Sequence, residues 1–209
     1  RLKSGERLFF EPRVAPLFEL STQWCLPQSG SGLDIPYEPE LLGVTQLLTD
    51  RAGQYLGSVL LDETVSANAH AGIEKFYPSL AMFDRVVTDA RSVGVEAQRL
   101  GYHGPLGIDA MFYRGPDGET AVRTIQDVNA RLTMGRIALE WFRRFTKSER
   151  PAWLLVPDDW LRDKGLAPTP ANSTRRLTSP RSLAGQPVRR VGVLFTEQAD
   201  WQSLLSTYL

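Results

Sequence analysis

The chain has a single cysteine, Cys25, and two histidines, His70 and His103, in 209 residues. One thiol excludes an internal disulfide and a cysteine-rich zinc site. Two imidazoles are too few for a histidine-built metal centre. Cys25 falls within a predicted strand, where a buried, inert thiol is expected. Lysine is scarce as well: of 24 basic residues, 4 are Lys and 20 are Arg. That bias has no functional weight of its own. No run of about 18 apolar residues occurs, so no helical membrane span is expected. The first residues do not follow a secretory pattern. The formal net charge is +0, which removes any global electrostatic case for nucleic acid or a membrane surface as a partner. A cytoplasmic protein is the expectation. The chain opens on Arg1 rather than Met, in what reads as the end of a helix, so it is expected to be a piece of a longer protein.

What is present suits a folded globular chain. Hydrophobic residues make up 42% and charged residues 23%, and this length can bury a substantial core. Leu8 to Phe10 reads as a short strand, followed by a segment interrupted by Pro12 and Pro16. Leu17 to Leu26 alternates. Phe18, Leu20, Thr22 and Trp24 share one side, and Glu19, Ser21 and Gln23 the other, as in a half-buried strand with a polar face. Strands are predicted at Leu41–Thr49 and Tyr55–Leu61, joined by a turn at Asp50-Arg51-Ala52-Gly53. An apolar stripe through Leu80, Phe83, Val86, Val87, Ala90, Val93, Ala97 and Leu100 predicts a helix over 78–100 that Gly101 ends. Leu106–Tyr113 and Ala121–Asn129 read as strands around Gly115-Pro116-Asp117-Gly118. A helix then opens at Thr133, with Ile137, Trp141, Phe142 and Phe145 as its apolar face. A short strand at Trp153–Val156 follows. Residues 164–190 carry six basic and no acidic side chains among Pro, Ser and Thr. They read as a loop, either simply solvated or able to attract an anion. Val191–Phe195 and Ala199–Tyr208 predict a last strand and helix.

The chemistry concentrates between Gly101 and Gly135. Residues two apart on a strand share a face, so Asp127 and Asn129 point the same way, and Arg131 follows if the chain stays extended. A turn centred near Gly118 places Asp109 across from Asp127. Carboxylate and amide oxygens are the hard ligands that Mg²⁺ takes beside phosphates. Arg131 and the N-terminus of the following helix could hold an anion next to them. The same pattern also suits a plain polar strand face.

Gly104-Pro105-Leu106-Gly107-Ile108-Asp109-Ala110, then Asp127-Val128-Asn129-Ala130-Arg131, then Thr133-Met134-Gly135, resembles the C-terminal half of the ATP-grasp fold. The resemblance covers roughly residues 1–148. It implies an α+β fold, a mainly antiparallel sheet flanked by helices. It implies Asp109, Asp127 and Asn129 as ligands of Mg²⁺ or Mn²⁺, and Arg131 as the catalytic residue that steadies a phosphorylated intermediate. Asp127 departs from the more usual Glu at its position. Leu8 to Val14 is similar to the family's strand-to-hinge segment. On that resemblance Val14 offers its N–H to adenine, Glu11 or Pro12 a carbonyl, and Glu19 holds the ribose hydroxyls of ATP. From the residues alone, Glu11 equally reads as a turn cap and Glu19 as a solvent-facing side chain.

By the same resemblance, residues 1–150 form part of an ATP-grasp domain and 151–209 a C-terminal extension. The parent protein would be an ADP-forming ligase joining a small-molecule carboxylate to an amine or thiol through an acyl phosphate. The lobe that brings lysines and a glycine-rich loop over the phosphates has no counterpart in this chain. Lys3 lies too close to the hinge to stand for it, and the fragment alone is expected to be inactive. A non-catalytic nucleotide- or partner-binding module and a small-molecule phosphotransferase are the alternatives.

Overall fold

The computed structural model describes residues 14–28, 38–50, 52–61, 80–148, 150–168 and 174–206. The predicted strand at Leu8–Phe10, Lys3, and the hinge residues Glu11 and Pro12 lie outside the described residues.

The backbone forms one antiparallel eight-stranded sheet in the order β5-β4-β1-β2-β3-β6-β10-β7. Its strands are β1 (Pro16–Leu26), β2 (Glu40–Thr49), β3 (Tyr55–Leu61), β4 (Gly104–Arg114), β5 (Thr120–Asn129), β6 (Ala152–Val156), β7 (Arg175–Leu177) and β10 (Val191–Phe195). β8 (Ser182–Leu183) and β9 (Gln186–Pro187) pair apart as a small hairpin. The helices are α1 (Leu80–Arg99), α2 (Met134–Phe145), α3 (Asp158–Asp163) and α4 (Gln198–Leu205). The α+β class expected from the sequence is the class observed.

Each face of the sheet is covered differently. On one, Leu20, Trp24, Ile108, Ala110 and Phe112 pack under Val86 and Ala90 of α1. At the far end Leu56, Val59, Leu154, Val193 and Phe195 join Leu161 of α3 and Trp201 and Leu204 of α4. On the other face Ala138, Leu139 and Phe142 of α2 rest on Trp153 and Leu194. α2 lies over β1, β2, β3 and β6. Burying the larger of these side chains contributes roughly 1.5–3 kcal/mol each before the entropy of ordering them is counted. α1 ends as expected: Gly101 adopts φ +88°, and Tyr102 N–H reaches Ala97 C=O at 2.9 Å, a helix stop that glycine permits. Leu100, placed on the stripe by periodicity, falls between the last helical residue, Arg99, and this stop, and is exposed.

Three expectations need correction. Residues 164–190 are not all loop, because Arg175–Leu177 adds a strand to β10 and 182–187 make a hairpin. Arg175 is held there by a forked ion pair to Asp200, with bonds of 2.6 and 2.9 Å. The buried face of α2 is centred on Gly135, Ala138, Leu139 and Phe142. Phe145 lies at the surface instead, with the Arg176 guanidinium 4.4 Å above its ring. Cys25 is half-buried rather than fully enclosed.

Candidate active site

β1 is a central strand, paired with β2 on one side and β4 on the other. Its polar face is covered where the start of α2 packs over it. Ser21 and Gln23 are 2% and 1% exposed, so the face read as half-buried is interior and must be hydrogen-bonded. Ser21 lies opposite Asp109 on β4, and Asp109 lies opposite Asp127 on β5. Gln23 is opposite Gly107, which is opposite Asn129. Glu19, Ser21, Gln23, Asp109, Asp127 and Asn129 thus share one face.

β5 is the outer strand, and it bulges beside Asp127. Between the pairs Asp109–Asp127 and Met111–Arg123, β4 has one residue and β5 has three. Such an irregularity re-aims the side chains that follow it. The Asn129 amide nitrogen donates to Asp127 Oδ2 at 3.0 Å and to Asp109 Oδ2 at 3.3 Å. Beyond Asn129 the chain does not stay extended. Arg131 N–H turns back to Asn129 C=O at 2.8 Å, and its guanidinium returns to Asn129 Oδ1 at 2.8 Å.

The remaining contacts run toward α2. Ser21 Oγ donates to Asp109 Oδ1 at 2.5 Å, and Gln23 Nε2 donates to Ser21 Oγ at 2.7 Å. Thr133 Oγ1 donates to Gln23 Oε1 at 2.5 Å and accepts the Arg136 N–H at 3.1 Å, which caps α2. The helix can sit this low because Gly107 beneath its cap and Gly135 in its first turn are glycines. A Cβ on Gly135 would meet Gln23 Nε2 at 2.7 Å and Thr45 Oγ1 at 3.0 Å. The N-terminus of α2, the positive end of its dipole, is thereby brought down onto the polar strip.

Burial is the main reason the Asp109 carboxyl ionises above its ordinary range. The Ser21 hydrogen bond opposes this, the Asp127 charge adds to it, and the Arg131 charge opposes it. Glu19 is raised too, by burial first and then by Asp109. The structure brings Glu19, Asp109, Asp127, Asn129 and Arg131 to one region. Val14 lies apart, just ahead of β1, at the end where Pro16 pairs with Tyr113. Sequence reasoning missed Ser21, Gln23 and Thr133 as members of the site. The signal was available in a polar alternation on a strand whose other face is fully apolar in its flanks. Gln46, on β2, pairs with Leu20 and so faces the opposite side of the sheet. Asp50 instead organises the β2–β3 turn, accepting the N–H groups of Ala52 and Gln54 at 2.9 Å each.

Among the described residues no group of three or more His, Cys, Asp or Glu could hold a metal ion. A cation here would need the Asn129 oxygen beside the two aspartates. An open cavity of about 590 Å³ lies at the far end of α2, among Phe145, Lys147, Arg150 and Glu197. The 12 residues of α2, about 18 Å of helix, separate it from the carboxylates. Among the described residues no helix is long and apolar enough to cross a membrane.

No family model and no curated protein matches the sequence. Solved structures do match the fold. An N5-carboxyaminoimidazole synthetase from Staphylococcus aureus, complexed with ADP, superposes with a TM-score of 0.52 at 8% identity, over 95% of this chain and 50% of that one. The N5-carboxyaminoimidazole ribonucleotide synthetase of Thermus thermophilus gives 0.51 at 11% identity, over 93% and 50%. A pyruvate carboxylase from Rhizobium etli gives 0.56 at 11% identity, over 94% and 22%. The chain spans about half the length of the two synthetases.

Proposed function

Given an ATP-grasp-like fold, we propose that this chain is the carboxylate-bearing half of an ATP-dependent, ADP-forming ligase. It would join a small-molecule carboxylate to an amine or thiol. The observation that carries this reading is the convergence of Asp109, Asp127 and Asn129, one amide nitrogen bonding both carboxylates at 3.3 and 3.0 Å. Carboxylates that converge repel unless positive charge or a donor stands between them. A half-turn of the Asn129 amide would put Oδ1 at that point and complete three hard oxygens, a donor set suited to Mg²⁺ or Mn²⁺ beside phosphates. The same half-turn would release Arg131 from Asn129 Oδ1, leaving its guanidinium for a phosphate oxygen. A bound divalent ion would supply neutralisation of the triphosphate charge.

The order of groups along β1 supports a nucleotide lying along the strand. Val14 precedes the strand and offers an N–H for the base. Glu19 follows for the ribose, then Ser21 with Asp109, then Gln23 with Asn129 and the start of α2. From Pro16 to Ser21 is five residue steps along the strand, about 16 Å. Arg131 and the positive end of α2 stand at the far end, beside Asn129. They would hold the phosphoryl group as it moves from ATP to the substrate carboxylate, releasing ADP. The amine would then displace phosphate.

The test is ADP release by a protein carrying both lobes. It should depend on a carboxylate and an amine, trap hydroxylamine as a hydroxamate, and fall to background in Asp127→Ala and Arg131→Ala. Undiminished ADP release in Asp127→Ala would overturn the reading. A phosphorylated product with no condensation would identify a phosphotransferase.

A further inference from the structure

Four side chains form an unbroken line from the cap of α2 to Asp109. The directions of its hydrogen bonds are set from the Asp109 end, where an ionised carboxylate only accepts and the single Ser21 proton must go to it. The Arg136 N–H can only donate, and Thr133 Oγ1 accepts it at 3.1 Å. The Thr133 proton goes to Gln23 Oε1 at 2.5 Å. An amide that accepts through Oε1 presents donors on its other arm, and Gln23 Nε2 donates to Ser21 Oγ at 2.7 Å. The Ser21 proton is directed at Asp109 Oδ1, 2.5 Å away. The three linking side chains are between 1% and 8% exposed, so water does not readily substitute for any link. Asp109 Oδ1 is therefore engaged, and Oδ2 is turned toward Asn129.

We infer that Gln23 is a positioning residue. It transmits the seating of α2 to Asp109 and fixes the rotamer in which one carboxylate oxygen is held by Ser21 while the other faces Asn129. The functional value of this rests on Asp109 being a metal ligand as proposed above. Its geometry does not depend on any metal. Gln23 bridges the helix cap and the serine, so the anion-facing helix end and the carboxylate pair are fixed relative to each other by one amide. A glycine at 135 is part of the device, because a Cβ there would stand 2.7 Å from Gln23 Nε2.

The experiment measures the Hα–Hβ couplings of Asp109 by NMR in the metal-free chain. The wild type should show the fixed couplings of one rotamer. Gln23→Ala and Ser21→Ala should collapse them to averaged values. Thr133→Val, which touches Gln23 and not Asp109, should do the same, whereas Thr133→Ser should keep them fixed. Asp200→Asn, a distant change, should leave them unaltered. Fixed couplings in both Gln23→Ala and Thr133→Val would overturn the inference and leave these contacts as packing alone. If Thr133→Val fails to fold, Gln23→Ala decides. Line broadening at Asp127 and Asn129 on adding Mn²⁺ to the wild type tests the metal reading separately. Its absence would count against that reading, while the metal-free couplings still decide the role of Gln23.

Discussion

The backbone of Gly107 passes so close to Thr133 that a Cβ on the glycine would stand 2.5 Å from the threonine methyl. β4 and the cap of α2 are thus in direct contact, and the methyl belongs to a short, branched side chain that cannot swing aside. Gly107→Ala must push Thr133 away, which breaks the cap and the bond to Gln23 together. The expected cost is about 1–3 kcal/mol. Urea unfolding measures it, and a change within error of zero would refute the close-packing argument.

Glu19 trades stability for its place on the site face. Its folded-state pKa is raised, mainly by burial and then by the Asp109 charge. An acid raised in this way supports the fold below its unfolded pKa, about 4.3. That support is lost as pH rises through the higher folded value. Glu19→Gln should therefore raise Tm at pH 7 and leave it nearly unchanged at about pH 3, where the carboxyl is protonated in both states. A lower Tm at pH 7 would contradict this.

The Arg175–Asp200 pair has the opposite sign. The Arg175 hydrogen bonds hold the Asp200 carboxyl below its ordinary range. Its contribution is present above the unfolded pKa, about 3.9, and is lost as pH falls through the folded one. Asp200→Asn should cost about 1–3 kcal/mol at pH 7 and flatten the acid side of the stability curve. Parallel acid limbs for variant and wild type would show that the pair does not couple to folding.

The isolated chain should bind ATP weakly or not at all. The described residues bring carboxylates, an amide and Arg131 to the site. Their lysines, Lys147 and Lys164, follow the C-terminal ends of α2 and α3. On the proposed function, phosphates that meet no lysine among the described residues keep much of their hydration. Calorimetry showing tight, Mg²⁺-dependent binding would contradict this.

Much of the sheet was legible because its strands alternate and its turns are marked. Asp109 and Asp127 could be paired from the turn near Gly118, and the register agrees. The β5 bulge could not be foreseen, since nothing in Thr124-Ile125-Gln126 distinguishes two extra residues from a regular strand. β7 was hidden by composition: its stability comes from pairing with β10 and from Asp200, both remote in sequence. Ser21 and Gln23 were visible as a polar alternation. Their role was not, because that depends on Asp109 and the cap of α2 meeting β1, and those contacts are long-range.

Asp109 meets Ser21 across 88 positions of chain, and Thr133 meets Gln23 across 110. Closing spans of that length costs entropy before any contact repays it. The constellation therefore cannot form from a local segment while the rest of the chain is still unfolded. Any excised piece that carries it must run from β1 through the first turn of α2. Conversely, the site is a reporter of completed folding: a chain that has not docked β1 against β4 has carboxylates and a helix cap, but no place where they meet.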